Sequence, residues 1–475
     1  MFWLVTTALA APFAEEICVE SLSTTDGLAP LIDARPLFEP RDLDAYRSAR
    51  MFLDVERMPP PELMRPESFV AYFRSDYASP DDQPVAVTAE LVQHPVLADH
   101  RILRVGVQAR RQVPSEYETS QVTLLVDVSP SMDSVFSRRY PVLPGQVPTN
   151  GLYPPVTRLD LVRHGLRGFA SGMARDGRVA VATYSGDASV VLPPTSLAET
   201  ALIDAAADQL RVGTRSWSSG LDDAYALASE MYIPCMDNRL VLLTDYNAKI
   251  DRDLKRTLTS VAALGKGLEV SAVGVGLGER GAGQLEQLSE IGLGNTWYAD
   301  TAYELDLAFA REFSSGATVA REVTLSLATD GALSEVVPIG WEDGAWDDLG
   351  NLPSDYQRTV LFDLHLPDAS TVAGAEVRWS AGSAIPGQFT TDGVAVAGAT
   401  LPWIEAPADL QLTYVASMFA GWLARRLDTA WTLPQLADLA EQAARAGHPE
   451  DRELAALIRQ AHRIDEAGLD RHHRR

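Results

Sequence analysis

Two periods of apolar residues alternate along this chain. From Asp42 to Val55, Leu43, Tyr46, Met51 and Leu53 recur among charges at helical spacing, and Met58-Pro59-Pro60-Pro61 ends the run. A second short helix fits Pro66–Phe73, and the stretches Val85–Leu91 and Ile102–Ala109 alternate as strands do. From Gln121 the texture changes. The strands Val122–Val126, Arg178–Tyr184, Leu240–Thr244, Leu268–Val275 and Thr296–Tyr298 are separated by helical patterns over Leu159–Ala174, Leu197–Leu210, Gly220–Met231, Asp251–Leu264 and Ala282–Ile291, and a last helix covers Ala302–Phe313. Such alternation predicts an α/β fold, a mostly parallel sheet with helices on both faces.

From Arg321 to about Trp403 the pattern is all-β, with apolar or alternating runs at Val323–Leu327, Thr359–Phe362 and Ala375–Trp379 between turn-rich links. After Ala408 it returns to helix, through Trp422 and Leu423, then Leu436–Ala446 and Glu453–Ile464. The expected organisation is therefore a lead-in or export signal over 1–35, helices and strands over 36–118, an α/β domain over 119–318, a β-rich domain over 319–407 and a helical segment over 408–475. Strands 85–109 are too few to form a stable sheet alone, so they are expected to pair with the β-rich region, with the α/β domain inserted between.

The chain has 475 residues, 46% of them hydrophobic, and a formal net charge of -25. That charge excludes a nucleic-acid partner, which needs a basic stripe, and favours solubility. The opening MFWLVTTALAAPFA resembles an export signal with Ala8-Leu9-Ala10 before a cleavage point, although no Lys or Arg precedes its apolar run. An extracytoplasmic location is expected on that basis. No later stretch approaches the roughly 20 apolar residues of a membrane span. Cys18 and Cys235 make no disulfide framework. Oligomeric state is not legible.

The stretch LLVDVSPSMDS, Leu124–Ser134, runs a buried strand into Asp127, followed by Ser129 and Ser131, and a second apolar strand stops at Asp245. Open parallel sheets gather their sites beyond the carboxyl ends of the strands. Two carboxylates and two hydroxyls, with no His or Cys beside them, form an all-oxygen set that selects Mg²⁺, Mn²⁺ or Ca²⁺ over zinc. Neutral hydroxyl ligands leave positive charge on the ion, which suits capture of an acidic side chain from a partner.

The DxSxS pattern with a later strand-end Asp resembles the metal-ion-dependent adhesion site of von Willebrand factor type A domains. The wider chain resembles the bacterial YfbK-like proteins, through MPPPELMRPESFVAYFRSDY, HRILRVGVQA, DGRVAVATYSGDASVVLPPT, NRLVLLTD and SMFAGWLARR. The resemblance implies an α/β domain of that type inserted in a β-rich, sandwich-like domain. It also implies Ser129 and Ser131 as direct metal ligands, Asp127 and Asp245 acting through waters, and a loop threonine as the remaining ligand. The matching loop is Gly213-Thr-Arg-Ser-Trp-Ser-Ser-Gly220-Leu221, in which Arg215 takes the threonine's place and Thr214 stands one residue early. Pro130 and Tyr246 replace glycines usual in the family and narrow the rim. Two readings stand side by side: a metal site in which Thr214 shifts inward and Arg215 faces the partner, and a metal-free scaffold in which the Arg215 guanidinium replaces the ion. Trp217, in the same loop, is a candidate anchor for a protein partner.

A long insertion, rich in Pro, Gly, Tyr and Arg, runs from Val135 to Val156 and is expected over the Asp127 face. A remote alternative is a dinucleotide enzyme using Gly276, Gly278 and Gly281, a G-x-G-x-x-G with Asp300 downstream. That loop follows a late strand instead of the first of its unit. A hydrolase would need a base for Ser129, and His164 is the one histidine near it in sequence. The sequence therefore favours a non-enzymatic protein-binding module.

Overall fold

The computed structural model describes residues 44–111, 120–172, 177–185, 188–214, 237–245, 268–277, 285, 289, 293–314, 318–329, 335–340, 346–365, 375–383, 391–396, 400–425 and 431–467. Helices α1 (Asp44–Asp54) and α2 (Pro66–Tyr72) lead to strands β1 (Val85–Gln93) and β2 (His100–Ala109). An α/β series follows: β3 (Ser120–Asp127), α3 (Arg158–Gly172), β4 (Arg178–Tyr184), β5 (Ala188–Ser196), α4 (Thr200–Gln209), β6 (Asp237–Thr244), β7 (Leu268–Val275), β8 (Leu293–Ala299) and α5 (Ala302–Ser314). Then come β9 (Thr318–Thr329), β10 (Glu335–Pro338), β11 (Asp348–Pro353), β12 (Gln357–His365), β13 (Ala375–Ser383) and β14 (Thr391–Val396). Helices α6 (Ala408–Leu423), α7 (Leu433–Ala443) and α8 (Pro449–Glu466) end the series. The chain divides into two units, one holding Val113–Phe136 and Pro155–Phe313, the other Ala34–Gln112, Ser137–Pro154 and Ser314–Arg475.

In the first unit six strands lie in the order β5-β4-β3-β6-β7-β8. All neighbours are parallel except β5, which runs antiparallel along β4. Val122, Leu124, Leu125 and Val126 of β3 are fully buried, which is why this central strand reads as a continuous apolar run. The chain leaves β3 for β4 on one side and returns to β6 on the other. Their carboxyl ends, Asp127 and the residues after Thr244, therefore flank the point where strand order reverses, the position open α/β sheets use for binding. Strand β5 was not foreseen. It carries Pro193-Pro194, tolerated because the strand is at the edge, and its register against β4 shifts twice there. The helices read over Gly220–Met231 and Asp251–Leu264 lie outside the described residues. Of Ala282–Ile291 only Leu285 and Ser289 are described, both helical and buried.

The second unit contains two four-stranded antiparallel sheets, β1-β2-β12-β10 and β11-β9-β13-β14. Strand β2 pairs with β12 over Gln108↔Gln357 to His100↔His365, so chain segments on either side of the α/β series share one sheet. Val105, Val107, Val323, Leu352, Val360, Phe362 and Trp379, drawn from both sheets, form a common core. Gly106 in β2 is required by a close approach: a Cβ there would meet the Tyr77 ring at 2.2 Å, and the Tyr77 hydroxyl is held 2.9 Å from Thr359 Oγ1.

The helices pack as a second layer of this unit. Tyr46 of α1 stacks on Tyr72 of α2 at 3.9 Å between centroids, and Phe69 meets Phe419 of α6 edge-on. Arg50 of α1 donates to Glu453 of α8 at 3.1 Å, with both side chains buried. A capping box on Thr432 and Gln435 starts α7. Most of the long insertion belongs to this unit. Ser137 Oγ donates to Asp54, Arg139 Nη2 donates to Glu56 at 2.9 Å, and the Arg50 guanidinium lies over the Tyr140 ring at 5.1 Å. Tyr140, Val142 and Tyr153 are buried, so these residues act as packing elements.

Candidate functional site

The end of β3 turns at once. The Ser129 N–H donates to Asp127 Oδ1 at 2.8 Å, closing a tight turn on the aspartate's own side chain. A 3-10 turn over Pro130–Asp133 follows, with Pro130 at its first position and Met132 buried as its anchor. This turn sets Ser129 Oγ and Ser131 Oγ 3.0 Å apart. Ser131 Oγ in turn donates to Asp245 Oδ1 at 2.8 Å. The structure thus brings Asp127, Ser129, Ser131 and Asp245 together. Thr214 is exposed, next to Gly213, whose N–H donates to the Val128 carbonyl at 2.6 Å and ties that loop to the end of β3. A Cβ on Gly213 would meet Ser185 Oγ at 2.5 Å, so glycine permits this approach. Arg215, Trp217 and Tyr246 lie outside the described residues.

Asp127 is 1% exposed. Its second oxygen accepts from Thr244 Oγ1 at 2.7 Å, and the buried Tyr184 hydroxyl is hydrogen-bonded to it as well. Burial raises the Asp127 pKa above the usual carboxylate range; the Thr244 and Ser129 bonds pull it back, and the Asp245 charge adds to the rise. Burial, then the charge of Asp127, pushes Tyr184 well above its ordinary value, so its hydroxyl keeps its proton.

Among the described residues, the cation at this site is Arg158. Its Nη1 donates to Asp245 Oδ2 at 2.5 Å and to the Ser131 carbonyl at 3.2 Å, and its Nη2 donates to the Gly276 carbonyl at 2.8 Å. One guanidinium therefore ties together the DxSxS turn, the end of β6 and the turn after β7. Gly276 adopts φ +65°, and a Cβ on it would meet Arg158 Nε at 2.6 Å. The first glycine of the G-x-G-x-x-G thus presents its carbonyl to Arg158; Gly278 and Gly281 lie outside the described residues. Sequence reasoning missed Arg158, Thr244 and Tyr184. A signal for Arg158 existed: a cation in the first turn of a helix opposes the helix dipole and calls for a nearby anion.

The donor set fits a hard divalent ion. Oxygens at neighbouring corners of an octahedral Mg²⁺ shell stand about 3.0 Å apart. The Ser129–Ser131 and Ser131–Asp245 oxygen pairs have that spacing, at 3.0 and 2.8 Å. Arg158 occupies the other oxygen of Asp245. Burial raises the pKa of Asp306 in α5, and the nearby His164 charge pulls it back.

A family model described as von Willebrand factor matches residues 41–104, the N-terminal helices and first strands of the second unit. Over 347 residues, 68% of the chain, it is 27% identical to the uncharacterised protein YfbK of Escherichia coli (strain K12), and it spans 57% of that protein's length. Among solved structures, a von Willebrand factor type A protein from Catenulispora acidiphila aligns over 81% of the chain and 98% of its own length, at 16% identity and a TM-score of 0.32. An aerotolerance-related membrane protein from Bacteroides fragilis aligns over 41% and 98%, at 17% identity and a TM-score of 0.32. No helix among the described residues is long and apolar enough to cross a membrane. The chain, with an α/β unit and a β-rich, helix-covered unit built from the segments around it, is thus similar to YfbK over about two thirds of its length.

Proposed function

We propose that the rim formed by Asp127, Ser129, Ser131, Thr214 and Asp245 holds a divalent cation, Mg²⁺ with Mn²⁺ or Ca²⁺ as substitutes, and through it an acidic side chain of a protein partner. The observation that carries this reading is the run of three oxygens, Ser129 Oγ, Ser131 Oγ and Asp245 Oδ1, at shell-edge spacing. The module binds and does not catalyse. Ser129 and Ser131 face each other and a carboxylate, an arrangement for holding an ion. Arg215, Trp217 and Tyr246, which follow Thr214 and Asp245 in sequence, serve as partner contacts. The reading places the site of action outside the cytoplasm.

Arg158 supports a second reading, a metal-free scaffold. Its guanidinium already neutralises Asp245, the role the sequence suggested for Arg215. Melting of the full chain in EDTA and in millimolar Mg²⁺ or Mn²⁺ separates the two. The metal reading predicts a rise in Tm that disappears in Asp127→Ala. No rise in wild type supports the scaffold. A rise with Mg²⁺ that survives Asp127→Ala would place that ion elsewhere and overturn the metal reading of the rim.

A further inference from the structure

The register of β2 against β12 puts His100 directly opposite His365, so both imidazoles project from one face of the sheet. Their rings stack at 4.7 Å between centroids. Asp99, the residue before His100, stands with one oxygen 3.4 Å from His365 Nε2. One nitrogen from each imidazole and one Asp99 oxygen lie within 4.8 Å of one another. Behind them, Asp363 Oδ1 is 2.8 Å from His100 Nδ1. An ionised carboxylate at that distance keeps the proton on Nδ1 and leaves Nε2 with its lone pair, the arrangement that orients metal-ligating histidines.

We propose that His100, His365 and Asp99 form a site for a borderline divalent transition ion of the Zn²⁺ type, separate from the DxSxS rim, with Asp363 as the positioning residue of His100. Two imidazoles and one carboxylate suit Zn²⁺ and its neighbours, whereas the all-oxygen rim suits Mg²⁺. The Asp99 side chain is 50% exposed and that of His365 39%, so the fourth position opens to solvent, where it takes a water or a donor atom from a ligand.

The surroundings are built to hold the ligands still. The link from β1 to β2 is pinned by His94, whose Nδ1 accepts the Val96 and Leu97 N–H groups at 3.2 and 2.9 Å. Those bonds require a neutral ring with its proton on Nε2, which is 2.7 Å from the Tyr414 hydroxyl of α6. Burial lowers the His94 pKa to about 4, in keeping with that form. Trp431 Nε1 donates to the same hydroxyl at 3.3 Å. His94 is thus a support committed to its own bonds, and His100 packs edge-on against it at 5.9 Å.

The test is a calorimetric titration of Zn²⁺ into the untagged, EDTA-stripped full chain carrying His472→Ala and His473→Ala, which removes the histidines of the tail. The expected result is a saturable site that weakens at least about tenfold in His365→Ala and in Asp99→Ala, and by about tenfold in Asp363→Asn. The metal-free melting of Asp99→Ala should match its parent, since that side chain is half exposed. The proposal is overturned if no saturable Zn²⁺ binding occurs, or if binding is untouched by both His365→Ala and Asp99→Ala.

Discussion

Glu312→Ala is expected to destabilise the α/β unit by about 3–5 kcal/mol. Glu312 is fully buried near the end of α5, against the amino-terminal ends of β6, β7 and β8. Its Oε1 accepts from Ser271 Oγ at 2.6 Å and lies 3.4 Å from Arg239 Nη1. Its Oε2 accepts from Trp297 Nε1 at 2.7 Å and Asn295 Nδ2 at 3.2 Å. Truncation strips the Arg239 charge of its buried carboxylate and removes the acceptor of three further donors. A buried charge without its counter-ion is costly, and so is each buried donor left unmatched. Glu312→Gln should cost less, since the amide oxygen still accepts one or two of these bonds. Urea unfolding measures the loss, and hydrogen exchange of the β6–β8 amides localises it. A loss below about 1 kcal/mol in Glu312→Ala would mean that the network is solvated and holds nothing together.

This network lies at the opposite edge of the sheet from Asp127, and the division is physical. Amino-terminal strand ends carry a satisfied ionic lock, while the carboxyl ends carry carboxylates and hydroxyls joined in a chain of hydrogen bonds. The sequence makes the second set legible because an acid that stops an apolar strand stands out against it. Asp127 and Asp245 do so, and the alternating Ser129 and Ser131 add to the signal. Glu312 is hidden because it sits in an ordinary amphipathic helix, where an acid normally faces water.

Other features were illegible for stated reasons. Pro193-Pro194 disguises β5, since strand pattern and proline conflict except at an edge. Strands β10 and β11 are short and hold Gly, Asp and Pro, so they offer no clear period. Residues 137–154 read on composition as a long surface insertion, yet Tyr140, Val142 and Tyr153 are buried and the segment belongs to the second unit. His100 and His365 look scattered along the chain until the β2–β12 register sets them face to face. Arg158 is 31 residues from Asp127 along the chain (158 − 127), and only the path from the DxSxS turn back into α3 brings it to Asp245. Arg215 is the cation visible in the motif loop and lies outside the described residues; Arg158 is a described cation seated on a site carboxylate.

Arg158→Gln is therefore expected to separate the counter-charge from the fold. The Asp245 side chain is 5% exposed and that of Arg158 25%, so their pair is shielded but not sealed. Its removal should cost the metal-free protein about 2–3 kcal/mol, less than a fully buried pair. Glutamine retains a donor, so the loss is mainly one of charge. Asp245 then stands without its cation while Asp127, already raised by burial and by Asp245 itself, feels the excess negative charge more strongly. A divalent ion relieves both carboxylates, so Mg²⁺ or Mn²⁺ should stabilise Arg158→Gln more than wild type. The difference follows from linkage: a hundredfold tighter site adds up to about 2.7 kcal/mol at saturating metal. If Arg158 has taken over the ion's role, wild type shows no metal response and the variant acquires one. If the ion and Arg158 act together, wild type responds and the variant responds more. Equal metal-free melting of Arg158→Gln and wild type, with equal metal responses, would show that the guanidinium is not coupled to the DxSxS rim, and its bonds to Asp245, Ser131 and Gly276 would then be incidental to the site.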